Sequence, residues 1–153
     1  MKKIFLIAAL ALGFAAVASA QPRAIGLRGG WGVELSYQHT LGANFVEADL
    51  GWGAGGINVA GTYNWTIAQP SWTSRGEWGI YAGPGVAAGF GIGEVSHINV
   101  GVAGQVGLEY TFWFPLQLSF DIRPVFGIDL KTGGGSGFYF GGYIPALGVR
   151  YRF

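Results

Sequence analysis

Residues 98–112 alternate between two chemistries. Ile98, Val100, Val102, Val106, Leu108, Tyr110 and Phe112 hold even positions, while Asn99, Gly101, Ala103, Gln105, Gly107, Glu109 and Thr111 hold the odd ones. A period of two is that of a β-strand, whose successive side chains point to opposite faces; a helix would repeat its apolar positions every three or four residues. The same split runs through residues 116–127, where Leu116, Leu118, Phe120, Ile122, Pro124 and Phe126 oppose Gln117, Ser119, Asp121, Arg123, Val125 and Gly127. It recurs in residues 57–67, where Val59, Tyr63, Trp65 and Ile67 oppose Asn58, Thr62, Asn64 and Thr66. No helical period appears beyond the first twenty residues, so the chain reads as all-β.

The charges decide which face meets which medium. Arg28, Glu34, Glu47, Asp49, Glu77, Glu109, Asp121, Arg123, Arg150 and Arg152 all fall opposite their strand's apolar set, and Arg75, Glu94, Asp129 and Lys131 fall in expected turns or loops. A soluble sandwich also alternates, but its outer face carries many lysines and glutamates. Here the polar face is mostly glycine, alanine, serine, threonine and asparagine, and only 11% of the chain is charged, against about a quarter in a soluble domain. A charge facing hydrocarbon near the bilayer midplane costs roughly 2–4 kcal/mol, whereas one facing a polar lumen finds partners. The pattern therefore predicts an antiparallel transmembrane β-barrel, apolar outside and polar inside. Trp31, Tyr37, Trp52, Tyr63, Trp65, Trp78, Phe90, Tyr110, Phe112, Tyr139, Tyr143, Tyr151 and Phe153 sit on the apolar parity, many near strand ends, as interfacial aromatic girdles require.

A leader fits such a destination. Lys2 and Lys3 supply a positive start, residues 4–17 an apolar run, and Ala18-Ser19-Ala20 a small-residue cleavage site before Gln21. The run is shorter than the roughly 20 residues of a membrane-spanning helix, so residues 1–20 read as a signal peptide. Residues 21–153 read as one barrel domain, exported to the outer membrane. No cysteine is present, and the formal charge of +1 includes the two leader lysines; nothing points to nucleic acid.

The apparent strands number seven: residues 23–38, 45–54, 57–67, 77–90, 97–112, 116–127 and 138–153. Bacterial barrels usually have an even count, so one stretch must hide a turn. Gly29-Gly30-Trp31-Gly32 is the best site, because glycine adopts the positive φ of tight hairpins. Splitting there gives eight strands, an up-and-down barrel, with residues 41–44, 68–76 and 113–115 as periplasmic turns and residues 91–95 and 128–137 as external loops. A split at Gly141-Gly142 instead would invert most of this topology.

Several stretches carry a resemblance: Ala24-Ile25-Gly26-Leu27-Arg28-Gly29-Gly30 with Leu35-Ser36-Tyr37-Gln38-His39, then Tyr81-Ala82-Gly83-Pro84-Gly85-Val86, then Gly107-Leu108-Glu109-Tyr110-Thr111-Phe112 through Asp121-Ile122-Arg123-Pro124, and the ending Val149-Arg150-Tyr151-Arg152-Phe153. With these the chain resembles the small outer-membrane β-barrel family of Bacteroidetes-type bacteria, related in architecture to the OmpA, OmpX and OmpW barrels. The resemblance implies fold and location and transfers no catalytic residue. Tyr151 and Phe153, sharing a face with Val149, resemble the terminal signal by which such barrels engage their insertion machinery. That machinery and outer-membrane lipid are the expected partners, and a monomer is the expected state.

Catalytic chemistry finds little support. A nucleophile needs a base within hydrogen-bond reach, and the only histidines are His39 and His97, expected at opposite rims. Ser36 and His39 are three apart on a strand, which sends them to opposite faces. No histidine pair has metal-ligand spacing, and Gly133-Gly134-Gly135-Ser136-Gly137 lacks the lysine and helix of a phosphate cradle. No cofactor and no enzymatic activity are expected. Instead, Arg28, Glu34, Glu47, Asp49, Glu109, Asp121, Arg123 and Arg150 are expected to form a paired network filling the lumen, with Arg152 and Glu77 solvated at the rim. Gln105, on the same inner face, is expected to tolerate replacement. Two function classes follow: a structural or surface-interaction barrel with a filled lumen, or a barrel binding or transporting a small molecule along its glycine-lined interior, where Gly79, Gly83, Gly85, Ala87 and Gly89 lie beside Asn99, Gly101 and Ala103.

Overall fold

The computed structural model describes residues 22–30, 32–53, 56–91 and 96–153; residues 1–20, expected from the sequence to be a signal peptide, and Gln21, Trp31 and Glu94 lie outside the described residues. Ten strands follow in order: β1 (Arg23–Gly29), β2 (Val33–Leu41), β3 (Asn44–Gly53), β4 (Gly56–Ala68), β5 (Glu77–Gly91), β6 (His97–Thr111), β7 (Leu116–Ile122), β8 (Val125–Lys131), β9 (Ser136–Gly141) and β10 (Ala146–Arg152). Each neighbouring pair from β1 to β7 is antiparallel, β7 pairs β10, and β10 pairs β1, which closes the sheet. The remaining two strands continue positions already in the ring. Thus β8 extends β7 along the upper half of β6, and β9 runs beside β8 as β10 runs beside β7. The result is a closed eight-position antiparallel barrel with an extended hairpin on one side.

Closure fixes the stagger. Pairing from Arg28 through β2, β3 and β4 arrives at Gly89 of β5, and pairing the other way through β10, β7 and β6 arrives at Gly79 of the same strand. This stagger of ten residues tilts the strands roughly 40° from the barrel axis and leaves an interior just wide enough for side chains or one small ligand.

The β1–β2 connection falls where the glycines permit it: Gly29 pairs Val33, and Gly30 N–H donates to the Gly32 carbonyl at 3.1 Å. At the end carrying both Arg23 and Phe153, the links are residues 42–43, 69–76 and 112–115; Gly30, Gly32 and residues 132–135 lie at the other end, while residues 123–124 and 142–145 interrupt the wall between β7 and β8 and between β9 and β10. We call the two ends the terminal end and the distal end. Gly42 has φ 66° in the two-residue turn between β2 and β3, a conformation an L side chain resists.

Three sequence expectations need correction. Residues 128–137 form no long loop, because β8 runs to Lys131 and β9 starts at Ser136, so only residues 132–135 turn, with Gly133, Gly134 and Gly135 all at positive φ. The stretch 116–127 is broken at Pro124, which has no N–H to give the ladder; its carbonyl still accepts from Gly104 N–H at 3.0 Å, and the inward phase is kept from Arg123 to Val125. The stretch 138–153 changes phase. Asp121 pairs Ala146 and Val125 pairs Gly141, so four steps on one side match five on the other. One extra residue is a β-bulge, and it flips every later side chain to the opposite face. Gly142 (φ 69°) and Pro145 supply the break. In consequence Phe138 and Phe140 point outward from β9, whereas Tyr139, expected on the lipid parity, turns toward the lumen.

Every position of the ring exposes large apolar side chains outward: Ile25 and Leu27, Val33 and Leu35, Leu50 and Trp52, Ile57 and Val59, Val86 and Phe90, Val100 and Val102, Leu118 and Phe120, Leu147 and Val149. The buried side chains are the reverse of a soluble core and include Arg28, Glu47, Asp49, Asp121, Arg123 and Arg150. At the terminal end Trp72, Trp78, Tyr110, Phe112, Trp113 and Phe114 form a chain of ring contacts 4.6–5.9 Å apart. Trp78 Nε1 donates to Thr73 at 3.2 Å and Tyr110 Oη to the Arg75 carbonyl at 2.9 Å, which pins the turn of residues 69–76 against them.

Candidate functional site

The lumen holds two layers of different character. Toward the terminal end, packing starts with Phe45 edge-on to Tyr81, centroids 5.0 Å apart and both buried. Above them sits Arg150, 1% exposed: Nε donates to Ser36 Oγ at 2.8 Å, Nη1 to Ser119 Oγ at 2.8 Å and Nη2 to Glu47 Oε1 at 2.9 Å. Gln38 Nε2 donates to the other Glu47 oxygen at 2.8 Å.

Nearer the distal end a second cluster crosses the barrel. Arg28 donates from Nε and Nη2 to Asp121 at 3.0 and 2.5 Å, and from Nη1 to Glu34 Oε2 at 2.6 Å. Arg123 Nη2 donates to both Glu34 oxygens at 2.7 and 2.8 Å, and its Nη1 to Asp49. Glu34 therefore bridges two guanidinium groups carried on β1 and between β7 and β8. Forked guanidinium geometry suits this sharing, where a lysine would offer one point charge. Of the eight lumen residues singled out in the sequence, Glu109 stands apart from the ion pairs and accepts instead from Gln117 Nε2 at 3.0 Å. Tyr151 and Phe153 stack at 6.3 Å on the outside of the terminal end, both exposed.

Gln105 joins the clusters, and here the sequence expectation of tolerance misleads. Its Nε2 reaches Glu47 Oε1 at 3.4 Å and Asp121 Oδ1 at 3.3 Å, while its Oε1 accepts from Thr62 at 2.6 Å and Asn64 at 3.1 Å. Removing it would leave buried polar groups unpaired, at about 1–3 kcal/mol each. Only the geometry of closure brings β4, β3 and β7 to one side chain, so a polar residue among glycines gave no sequence signal of this role.

The interior glycines have a packing reason. Gly107 pairs Tyr81, Gly79 pairs Glu109, Gly89 pairs Asn99 and Gly51 pairs Asn58; in each case the large side chain lies over its glycine partner. A Cβ at Gly107 would meet the Tyr81 ring and Asp121 Cβ at 2.6 Å. Gly107→Ala is therefore expected to destabilise the barrel by about 1–3 kcal/mol, the usual cost of overpacking. Gly137→Ala, with open space around its Cβ position, should leave it unchanged. Urea unfolding of the detergent-refolded protein measures both.

Beyond Glu34 the lumen is not filled. A cavity of about 350 Å³ occupies the distal end, with Arg28, Glu34 and Arg123 as its floor, Asn58, Ala60, Ala87, Gly89, His97 and Asn99 along one wall and Tyr139 to Ile144 on the other. The two histidines lie at opposite ends, His39 paired with Arg23 and His97 with Gly91. Among the described residues no group of three acidic, histidine or cysteine side chains is arranged to hold a metal. No family profile, no curated protein and no solved structure matches the chain.

Proposed function

We propose that the chain is an integral β-barrel of a Gram-negative outer membrane, exported by its first twenty residues, and that it serves the envelope as a non-enzymatic structural or surface-interaction protein whose lumen is blocked. The observation that carries this reading is the inverted polarity: apolar side chains exposed around the whole ring, charged ones buried within. Water would solvate that outer surface poorly, since monomeric soluble proteins rarely expose contiguous apolar patches beyond a few hundred Å². Hydrocarbon would solvate it well, and the aromatic cluster at the terminal end suits the headgroup level. The resemblance to small outer-membrane barrels agrees with it, and the outward Tyr151 and Phe153 would then serve insertion.

The ion-pair layers argue against conduction, because an ion crossing the lumen would have to displace the Arg28–Glu34–Arg123 bridge and then Arg150. The mature chain refolded in detergent should give a β-type circular dichroism spectrum, run faster on gels unheated than boiled, and show no large stable conductance in planar bilayers. Ready solubility without detergent would overturn the membrane assignment. Persistent porin-like openings would overturn the blocked lumen alone.

A further inference from the structure

The distal cavity has a composition that selects a ligand. Its floor cations are already engaged: Arg28 is held by Glu34 and Asp121, and Arg123 by Glu34 and Asp49. An anionic ligand would have to displace one of these carboxylates from its guanidinium and leave it buried and unpaired, which is strongly unfavourable. The walls are different. Asn58, Gly89 and Asn99 form one registered row across β4, β5 and β6, with Ala60, Ala87 and Gly101 as the adjacent inward row. The Asn58 carboxamide lies over Gly51 and that of Asn99 over Gly89, so two amides project into the lumen from backbones about 10 Å apart, beside an adjacent row with almost no side chains. Neither amide makes a side-chain hydrogen bond among the described residues, although both line the cavity. Tyr139, turned inward by the bulge, offers an aromatic wall from the other side.

An apolar ligand would strip water from the two amides and give nothing back, a loss that an amide without a partner makes costly. A neutral molecule with hydroxyls on opposite edges satisfies both, since each carboxamide donates and accepts. Its flat C–H face can rest on the small-residue strip or on Tyr139. About 350 Å³ falls in the range of small-molecule sites.

We propose that this cavity is a binding site for a neutral polyhydroxylated molecule of mono- or disaccharide size, with Asn58 and Asn99 as its hydrogen-bonding residues. The inference concerns the lumen and stands whether or not the outer face meets lipid.

The test uses the refolded mature chain in an amine-oxide detergent, because a glycoside detergent would compete. Saturation-transfer NMR with glucose, N-acetylglucosamine and maltose, and with glucose 6-phosphate as the charged comparison, reads binding directly. At least one neutral sugar should receive saturation and shift the side-chain amide signals of Asn58 and Asn99 in the unaltered protein. Asn58→Leu and Asn99→Leu should each weaken binding roughly tenfold or more, while Asn44→Ala at the terminal end should not. No transfer to any neutral sugar, transfer to glucose 6-phosphate as strong as to glucose, or binding that leaves both amide signals unmoved would each overturn the proposal. The amide signals are read without any substitution, so a leucine variant that fails to fold leaves the test intact.

Discussion

Val102→Arg is expected to cut the stability of the bilayer-folded barrel by about 2–4 kcal/mol, the cost of an arginine at mid-depth on a lipid-facing strand. Val102 is well placed for this test. It lies near the middle of β6, is 64% exposed, and faces away from the lumen. Nothing on the outer surface beside it could neutralise the charge, since its partners in the ladder are Val86 and Phe126. The size of the effect should depend on depth, so a change at Ile98, closer to the distal end of the same strand, should cost less. Val102→Leu should be silent. Equilibrium folding into lipid vesicles, followed by gel mobility, measures the series. If Val102→Arg folds as readily as Val102→Leu, the outer face does not meet hydrocarbon.

How much of this was legible in the sequence follows from what a period of two encodes. The pleat assigns each side chain to a face, and so the inward position of Glu47 or Arg150 can be read from neighbours two residues away. It does not assign partners. That Arg28 meets Asp121 on β7 while Arg123 reaches Asp49 on β3 depends on the ten-residue stagger, which no local pattern states. The phase itself fails wherever one residue is inserted. The residues around Pro145 read as a continuation of the alternation, yet the bulge there turned Tyr139 inward. Pro124, which looked equally disruptive, kept the phase because only a rung was lost and no residue was added. The cavity was the least legible feature. It exists because β4, β5 and β6 present small inward residues such as Ala60, Ala87, Gly89 and Gly101 beyond the level at which Arg28, Glu34 and Arg123 fill the lumen. Glycine-lined strands hinted at space but not at which end it would lie.

Arg150→Ala should have the largest effect of any lumen substitution, about 3–5 kcal/mol, because it leaves a buried carboxylate without its counter-charge. Glu47 is 1% exposed, and its remaining contacts would be amides and a hydroxyl: Gln38, Gln105 and Ser36. Ser36 and Ser119 would lose their donor as well. The comparison that identifies the cause is the pair of changes made together. Replacing Arg150 by Met and Glu47 by Leu removes both charges and keeps most of the volume, and buried ion pairs replaced in this way are often neutral or stabilising. The double variant should therefore be closer to the unaltered protein than Arg150→Ala is, with a strong favourable coupling between the two sites. Arg75→Ala, in an exposed turn where the side chain rests 5.7 Å from the Trp113 ring, should cost under about 1 kcal/mol. Urea midpoints of the detergent-folded proteins, with Arg150→Met and Glu47→Leu made singly to close the cycle, give these values. Additive losses at Arg150 and Glu47 would mean that each acts by filling space alone, and the lumen would then be held by packing with no contribution from charge pairing.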